Sequence, residues 1–136
     1  IINKFMNNVL IVGCGHMGSA LLDLWSKNKL YKFTVVDPLK YKIIKVPGVF
    51  EIPVSIAKNI KKYDGFIALG CVIKGETPHF DFISQATTNA IMKLSIDHKK
   101  PIGNGIITSL NREQALTRSK TKGGEAARAV ISILSQ

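Results

Sequence analysis

The sequence predicts an α/β fold: a single domain with a largely parallel sheet and helices packed on it. Two observations predict it. Short apolar runs bounded by Gly and Pro recur along the chain, and stretches with apolar residues at helical spacing lie between them. A third is consistent with them: Glu51, the turn GETPH at 75–79 and Thr108 all fall at predicted strand ends, where such sheets bind ligands.

The elements follow in order. VLIV at 9–12, ended by Gly13, reads as a buried strand. Met17, Leu21, Leu24 and Trp25 share a helical face over 17–27. FTVVD at 33–37 is a second strand signal stopped by Pro38, and YKIIKV at 41–46 a third stopped by Pro47-Gly48. Pro53 suits the first turn of a helix running to about Tyr63, with Ile52, Ile56 and Ile60 on one face. DGFIALGCVI at 64–73 reads as a central buried strand. Pro78 opens a helix whose inner stripe is read as Phe82, Ala86, Ala90, Ile91 and Leu94. PIGNGIIT at 101–108 is a strand whose glycines signal close approach of backbone or ligand. Asn111 is an N-cap for NREQALTRS, and residues 123–134 form a last amphipathic helix.

The 136 residues suffice for one domain with a modest core, and 46% apolar content is ordinary for a globular chain. No apolar run approaches the ~20 residues of a membrane span, and no signal peptide is legible. The chain begins at Ile1, which reads as a start that is missing or trimmed. Cys14 and Cys71 form no spaced framework and read as free thiols of a reducing cytoplasm. The net charge of +10 suits anionic partners. Its lysines are scattered without interleaved aromatics, so a solvated basic surface is expected and no nucleic-acid partner.

Two blocks carry chemistry: VPGVFEIP at 46–53 and GCVIKGETPHFDF at 70–82. The second is a strand, a turn and a helix start, which presents amide donors and a positive dipole end to a phosphate with a His beside it. Read alone, Phe50 is core, Glu51 a helix-start charge, His79 a surface residue, and Arg118 and Lys122 solvated helix charges. Together the blocks resemble the lumazine synthase family, from Val46 to Leu134.

The resemblance implies a flavodoxin-like domain with a four-stranded, mainly parallel sheet. It implies condensation of 5-amino-6-(D-ribitylamino)uracil with 3,4-dihydroxy-2-butanone 4-phosphate, a transferase reaction of riboflavin biosynthesis. No cofactor and no metal are expected. By resemblance Phe50 stacks on the pyrimidine and Glu51 holds ribityl hydroxyls. Backbone groups around Cys71, Val72 and Ile73 meet the uracil edge, Cys71 itself carrying no chemistry. Gly75, Glu76 and Thr77 form the phosphate turn, and His79 moves protons. Arg118 binds phosphate with Lys122 close by, both reaching a neighbouring subunit's pocket, and Asn104 lines the site. A pentamer-based homo-oligomer is implied, with riboflavin synthase as a further partner.

The first 45 residues depart from that family. Gly13, Gly15 and Gly18 form G-x-G-x-x-G between a strand and a helix, and Asp37 ends the next strand. This segment, 9–38, resembles the start of pyrroline-5-carboxylate reductase, which implies a dinucleotide on the glycines and its ribose on Asp37. Too little chain remains for a full dinucleotide fold and a substrate domain. The reading preferred here is a tight turn supplying the first βα unit. A dinucleotide-binding module and a weakly active flavin-binding scaffold are the alternatives. The region after the first strand, Gly13-Cys14-Gly15-His16, also lacks the large aromatic usual in the family, and Arg118 and Lys122 stand closer together than usual.

Overall fold

The computed structural model describes residues 7–14 and 40–136. The strands are β1 (Asn8–Cys14), β2 (Lys40–Val46), β3 (Gly65–Ile73) and β4 (Ile102–Ser109). The helices are α1 (Ile52–Asn59), α2 (His79–His98), α3 (Arg112–Ser119) and α4 (Lys122–Leu134), with a 3-10 turn at Val49–Glu51. The sheet is parallel throughout, in the order β2-β1-β3-β4. Its register sets Val12 between Ile44 and Ala68, and Ala68 beside Asn104.

Strands buried on both faces need continuous apolar runs, and β1 and β3 supply them. Leu10, Val12, Phe66 and Ala68 face one cluster with Val49, Ile52, Ile56 and Ile91, on the side of α1 and α2. Val9, Ile11, Ile67 and Leu69 face the other, with Ala126, Ala127 and Val130 of α4. β2 reads differently, with lysines at its ends and Ile43 and Ile44 between, as suits an edge of the described sheet.

Four strands form among the described residues. YKIIKV is the strand beside β1, and FTVVD, expected as a strand, lies outside the described residues. The expected helix of 17–27 also lies outside them. α1 stops at Asn59, short of the expected Tyr63. The Lys100 ammonium stands at that end and donates to the carbonyls of Ile60 (2.6 Å) and Tyr63 (2.8 Å). The inner stripe of α2 is also corrected. Thr87 and Ile91 are buried, with Ile83 and Leu94 packed beside the core, while Phe82 is 69% exposed and Ala86 is exposed. Ile91 and Leu94 stand in the stripe as expected, while in the first half of the helix Ile83 and Thr87 replace Phe82 and Ala86, a shift of one residue or about 100°.

The glycines of β4 do mark close approach, and the partner is backbone. A methyl group on Gly103 would stand 2.9 Å from the carbonyl carbon of Ala126 and 3.0 Å from Val130 Cγ2, so α4 rides directly on β4. Asn111 caps α3 as expected, its Oδ1 accepting from the Gln114 amide at 2.9 Å while Gln114 Oε1 accepts from Leu110 N–H at 2.9 Å.

Candidate functional site

Both sequence blocks end at the carboxyl edge of the sheet. β2 leads through Pro47-Gly48 into the Val49–Glu51 turn, where Val49 is buried, Glu51 half-buried and Phe50 59% exposed. The Glu51 carboxylate folds back over Gly48: a methyl group there would meet its Oε2 at 2.9 Å. Helix α2, which begins at His79, packs against this same turn. The aromatic–carboxylate pair and the helix carrying the histidine are therefore neighbours.

β3 outruns β1. Its ladder with β1 ends at Leu69 among the described residues, whereas its ladder with β4 continues through Cys71, Val72 and Ile73 to Ser109. The Lys74 amide extends it once more, donating to the Ser109 carbonyl at 2.9 Å. Gly75, Glu76, Thr77 and His79 follow as an exposed turn, with the His79 amide donating to Thr77 Oγ1 at 3.4 Å.

The other cation comes from α3. Arg118, in its last turn, lines an open groove of about 370 Å3 with Thr108, Ser109, Glu113, Gln114 and Thr117. Ser109 thus joins the two halves: its carbonyl holds the start of the 75–79 turn, and its residue lines the Arg118 groove. A second groove, of about 380 Å3, runs between Thr108 and the first turns of α2 beside Asp81, Ser84 and Gln85. Lys122 is half-buried at the first position of α4, with only Lys120 and Thr121 between it and α3. A cation is disfavoured at the positive end of a helix dipole, so this lysine is placed where an anion would relieve it.

Asn104 is exposed, and its Oδ1 accepts from the Ile106 amide of its own strand at 3.1 Å. Ser109, Glu113, Gln114 and Thr117 were not singled out in the sequence. Their signal was available, because 113, 114, 117 and 118 share one face at helical spacing.

Cys14 ends β1 beneath this edge and is 3% exposed. Burial pushes its thiol up to about 11; the Cys71 backbone amide opposes that, and the Glu51 charge adds to it. Burial also raises the Cys71 thiol. Both are free cysteines. Among the described residues no cluster of His, Cys, Asp or Glu could hold a metal ion, and no helix is long and apolar enough to cross a membrane.

Comparison with known proteins bears on this site. The family model described as 6,7-dimethyl-8-ribityllumazine synthase matches residues 24–136. The chain is 47% identical over 105 residues to the 6,7-dimethyl-8-ribityllumazine synthase of Agrobacterium fabrum, covering 69% of this chain and 71% of that one. It is 45% identical over 107 residues to the synthase of Rhodopseudomonas palustris strain BisA53, covering 71% and 66%. It is 46% identical over 105 residues to 6,7-dimethyl-8-ribityllumazine synthase 1 of strain CGA009, covering 69% and 64%. The matched stretch thus spans about two thirds of each relative. The family match begins after Gly13, Gly15 and Gly18; of that motif the described residues include Gly13, while Gly15, Gly18 and Asp37 lie outside them.

Proposed function

Since the chain belongs to the 6,7-dimethyl-8-ribityllumazine synthase family, we propose that it condenses 5-amino-6-(D-ribitylamino)uracil with 3,4-dihydroxy-2-butanone 4-phosphate to 6,7-dimethyl-8-ribityllumazine. The observation that carries this reading is the family match running through both site blocks, 46–53 and 70–82. The reaction joins an amine to a ketone, expels phosphate and closes a ring.

Each step has a candidate group. Backbone groups around Cys71, Val72 and Ile73 would meet the hydrogen-bonding edge of a uracil, and the exposed face of Phe50 suits its ring. Glu51 accepts from ribityl hydroxyls. The Gly75–Thr77 turn, Arg118 and Lys122 stabilise phosphate charge as it develops on the leaving group. A histidine exchanges protons readily near neutral pH, so His79 would take the amine proton and return it in the dehydrations. Asn104 would line the ribityl side.

Among the described residues Arg118 is exposed and Lys122 half-buried. We therefore propose a pentamer-based homo-oligomer in which these cations complete a neighbour's site. Free thiols fit a cytoplasmic enzyme, and riboflavin synthase would consume the product. For residues 9–38, which resemble pyrroline-5-carboxylate reductase, we propose a structural role. β1, which carries Gly13, is a paired strand between β2 and β3. Calorimetric titration with NADH and NADPH tests this; micromolar binding lost in Gly15→Val would overturn it.

Mixing the protein with both substrates is expected to generate lumazine fluorescence, strongly reduced in Arg118→Ala. Absence of product at every pH from about 6 to 9, where a histidine with an ordinary titration passes to its neutral, proton-accepting form, refutes the reading. Light scattering on the same sample reads the assembly, and a monomer refutes the shared site.

A further inference from the structure

Gly70 lies on β3 at the level where that strand begins to outrun β1. It shares its face with Phe66 and Ala68, towards the cluster containing Val49 and Ile52. A methyl group on Gly70 would stand 2.8 Å from Val49 Cγ2, 2.9 Å from Cys14 Sγ and 3.6 Å from Ile52 Cδ1. The hollow left by the missing side chain is therefore filled from three elements: the end of β1, the 3-10 turn and the start of α1.

That turn bears Phe50 and Glu51. In 3-10 geometry residues i and i+3 lie over one another, so Val49 and Ile52 point the same way. They are 6% and 0% exposed, whereas Phe50 between them is 59% exposed. The turn is held on the sheet by its two buried residues, and the outward pair takes its height and direction from how deeply they sit.

We infer that Gly70 is a positioning residue for the pyrimidine half of the site: its missing side chain gives Val49 its seat, and Val49 sets where Phe50 and Glu51 stand. The inference rests on the substrate roles proposed above for those two residues. Ordinary carbon contacts lie at about 3.5 Å, so a methyl at position 70 would move Val49 by roughly 0.7 Å. Binding constellations tolerate about 0.5 Å, and a misplacement of about 1 Å can cost about 100-fold. The Arg118 groove is built from β4 and α3 and is outside the reach of this shift.

The experiment is steady-state lumazine formation by Gly70→Ala, varying each substrate in turn. The KM for the ribityl-aminouracil is expected to rise about tenfold or more, with the KM for the phosphorylated butanone within about twofold. A purely structural role would lower kcat through the active fraction and leave both KM values alone. Adding Val49→Ala lets the new methyl occupy the vacated space and should bring the raised KM back to within about threefold of wild type. Adding Cys14→Ala relieves the other contact without freeing the turn, so the KM stays high. If Gly70→Ala does not fold, Val49→Ala alone opens a gap under the turn and should give the same split between substrates. Equal changes in both KM values, a change in kcat alone, or no recovery with Val49→Ala overturns the inference. If wild-type protein makes no product, the proposed reaction falls separately. Fluorescence titration with ribityllumazine then decides the positioning, and a Kd unmoved by Gly70→Ala refutes it.

Discussion

Replacing Lys100 by Met would remove one ammonium and leave two carbonyls at the end of α1 without it. Lys100 Nζ donates to Ile60 O at 2.6 Å and to Tyr63 O at 2.8 Å, and the methionine keeps most of the stem. A hydrogen bond from a charged donor is worth about 1.5–3 kcal/mol. Lys100 is half-buried, so water reaches part of this cap, and a loss of about 2–4 kcal/mol is expected for the pair. The unfolding entropy of about 2.1 cal/mol/K per residue gives about 0.29 kcal/mol/K for 136 residues. Tm should therefore fall by about 7–14 °C. Lys93→Met is the matched control: its ion pair with Asp97 is 2.7 Å long but its side chain is 76% exposed, so about 0.3–0.5 kcal/mol is expected. Both variants are measured by urea and thermal unfolding at one fixed protein concentration, because assembly would couple to Tm. A loss for Lys100→Met below about 0.5 kcal/mol, or no larger than for Lys93→Met, would refute the cap.

Four further outcomes are expected. The raised Cys14 thiol keeps its proton in the folded state after the unfolded chain has lost it; its contribution is full below about 9 and disappears as pH rises through about 11. Two units correspond to at most about 3 kcal/mol, so urea midpoints should fall more steeply between those pH values in wild type than in Cys14→Ala, and parallel profiles would contradict this. Gly103→Ala should cost about 1–3 kcal/mol or more, because the new methyl meets α4 backbone at Ala126. Gly75→Ala, with nothing within 4 Å, should change unfolding stability by less than about 0.5 kcal/mol in the same assay. Asn111→Ala removes the side-chain acceptor of the Gln114 amide and should cost about 1 kcal/mol in urea unfolding.

Much of the fold was legible because β1 and β3 are buried on both faces and show it as unbroken apolar runs. The caps were legible for a similar reason: Asn111 and Pro78 act locally, within a turn. What failed was orientation. Phe82 drew the predicted stripe of α2 towards itself because it is large and apolar, while the side actually buried centres on Thr87, whose hydroxyl argues for solvent in any sequence reading. The site was legible as two blocks, since each is contiguous. The lining of the Arg118 groove was legible only in part: 113, 114 and 117 share a helical face with Arg118, whereas Ser109 acquires a role only when the β4–α3 connection folds it beside them. Gly70 was hidden for the same reason: it looked like any strand glycine until Val49 and Cys14 were seen to fill the space it leaves.

The two ends of the sheet obey different rules, and the contrast argues for where function lies. At the amino end several local preferences are met, with Lys99 in the left-handed region at φ 53° as the exception. Lys100 serves a helix carboxyl terminus, the Asn8 amide donates to Asp64 Oδ2 at 2.7 Å, and Asp64 N–H donates to the Asn8 carbonyl at 2.8 Å. At the carboxyl end they are set aside. Lys122 occupies a helix amino terminus, Phe50 is left largely in solvent, and β3 runs past its described neighbour. The Asn111 cap shows that this edge does not abandon every local rule, but departures of a lysine, an aromatic and a strand end gathered at one edge argue for a ligand there. Substitutions at the amino end should therefore move Tm and leave both KM values alone, and those at Phe50 or Lys122 should move KM at nearly constant Tm.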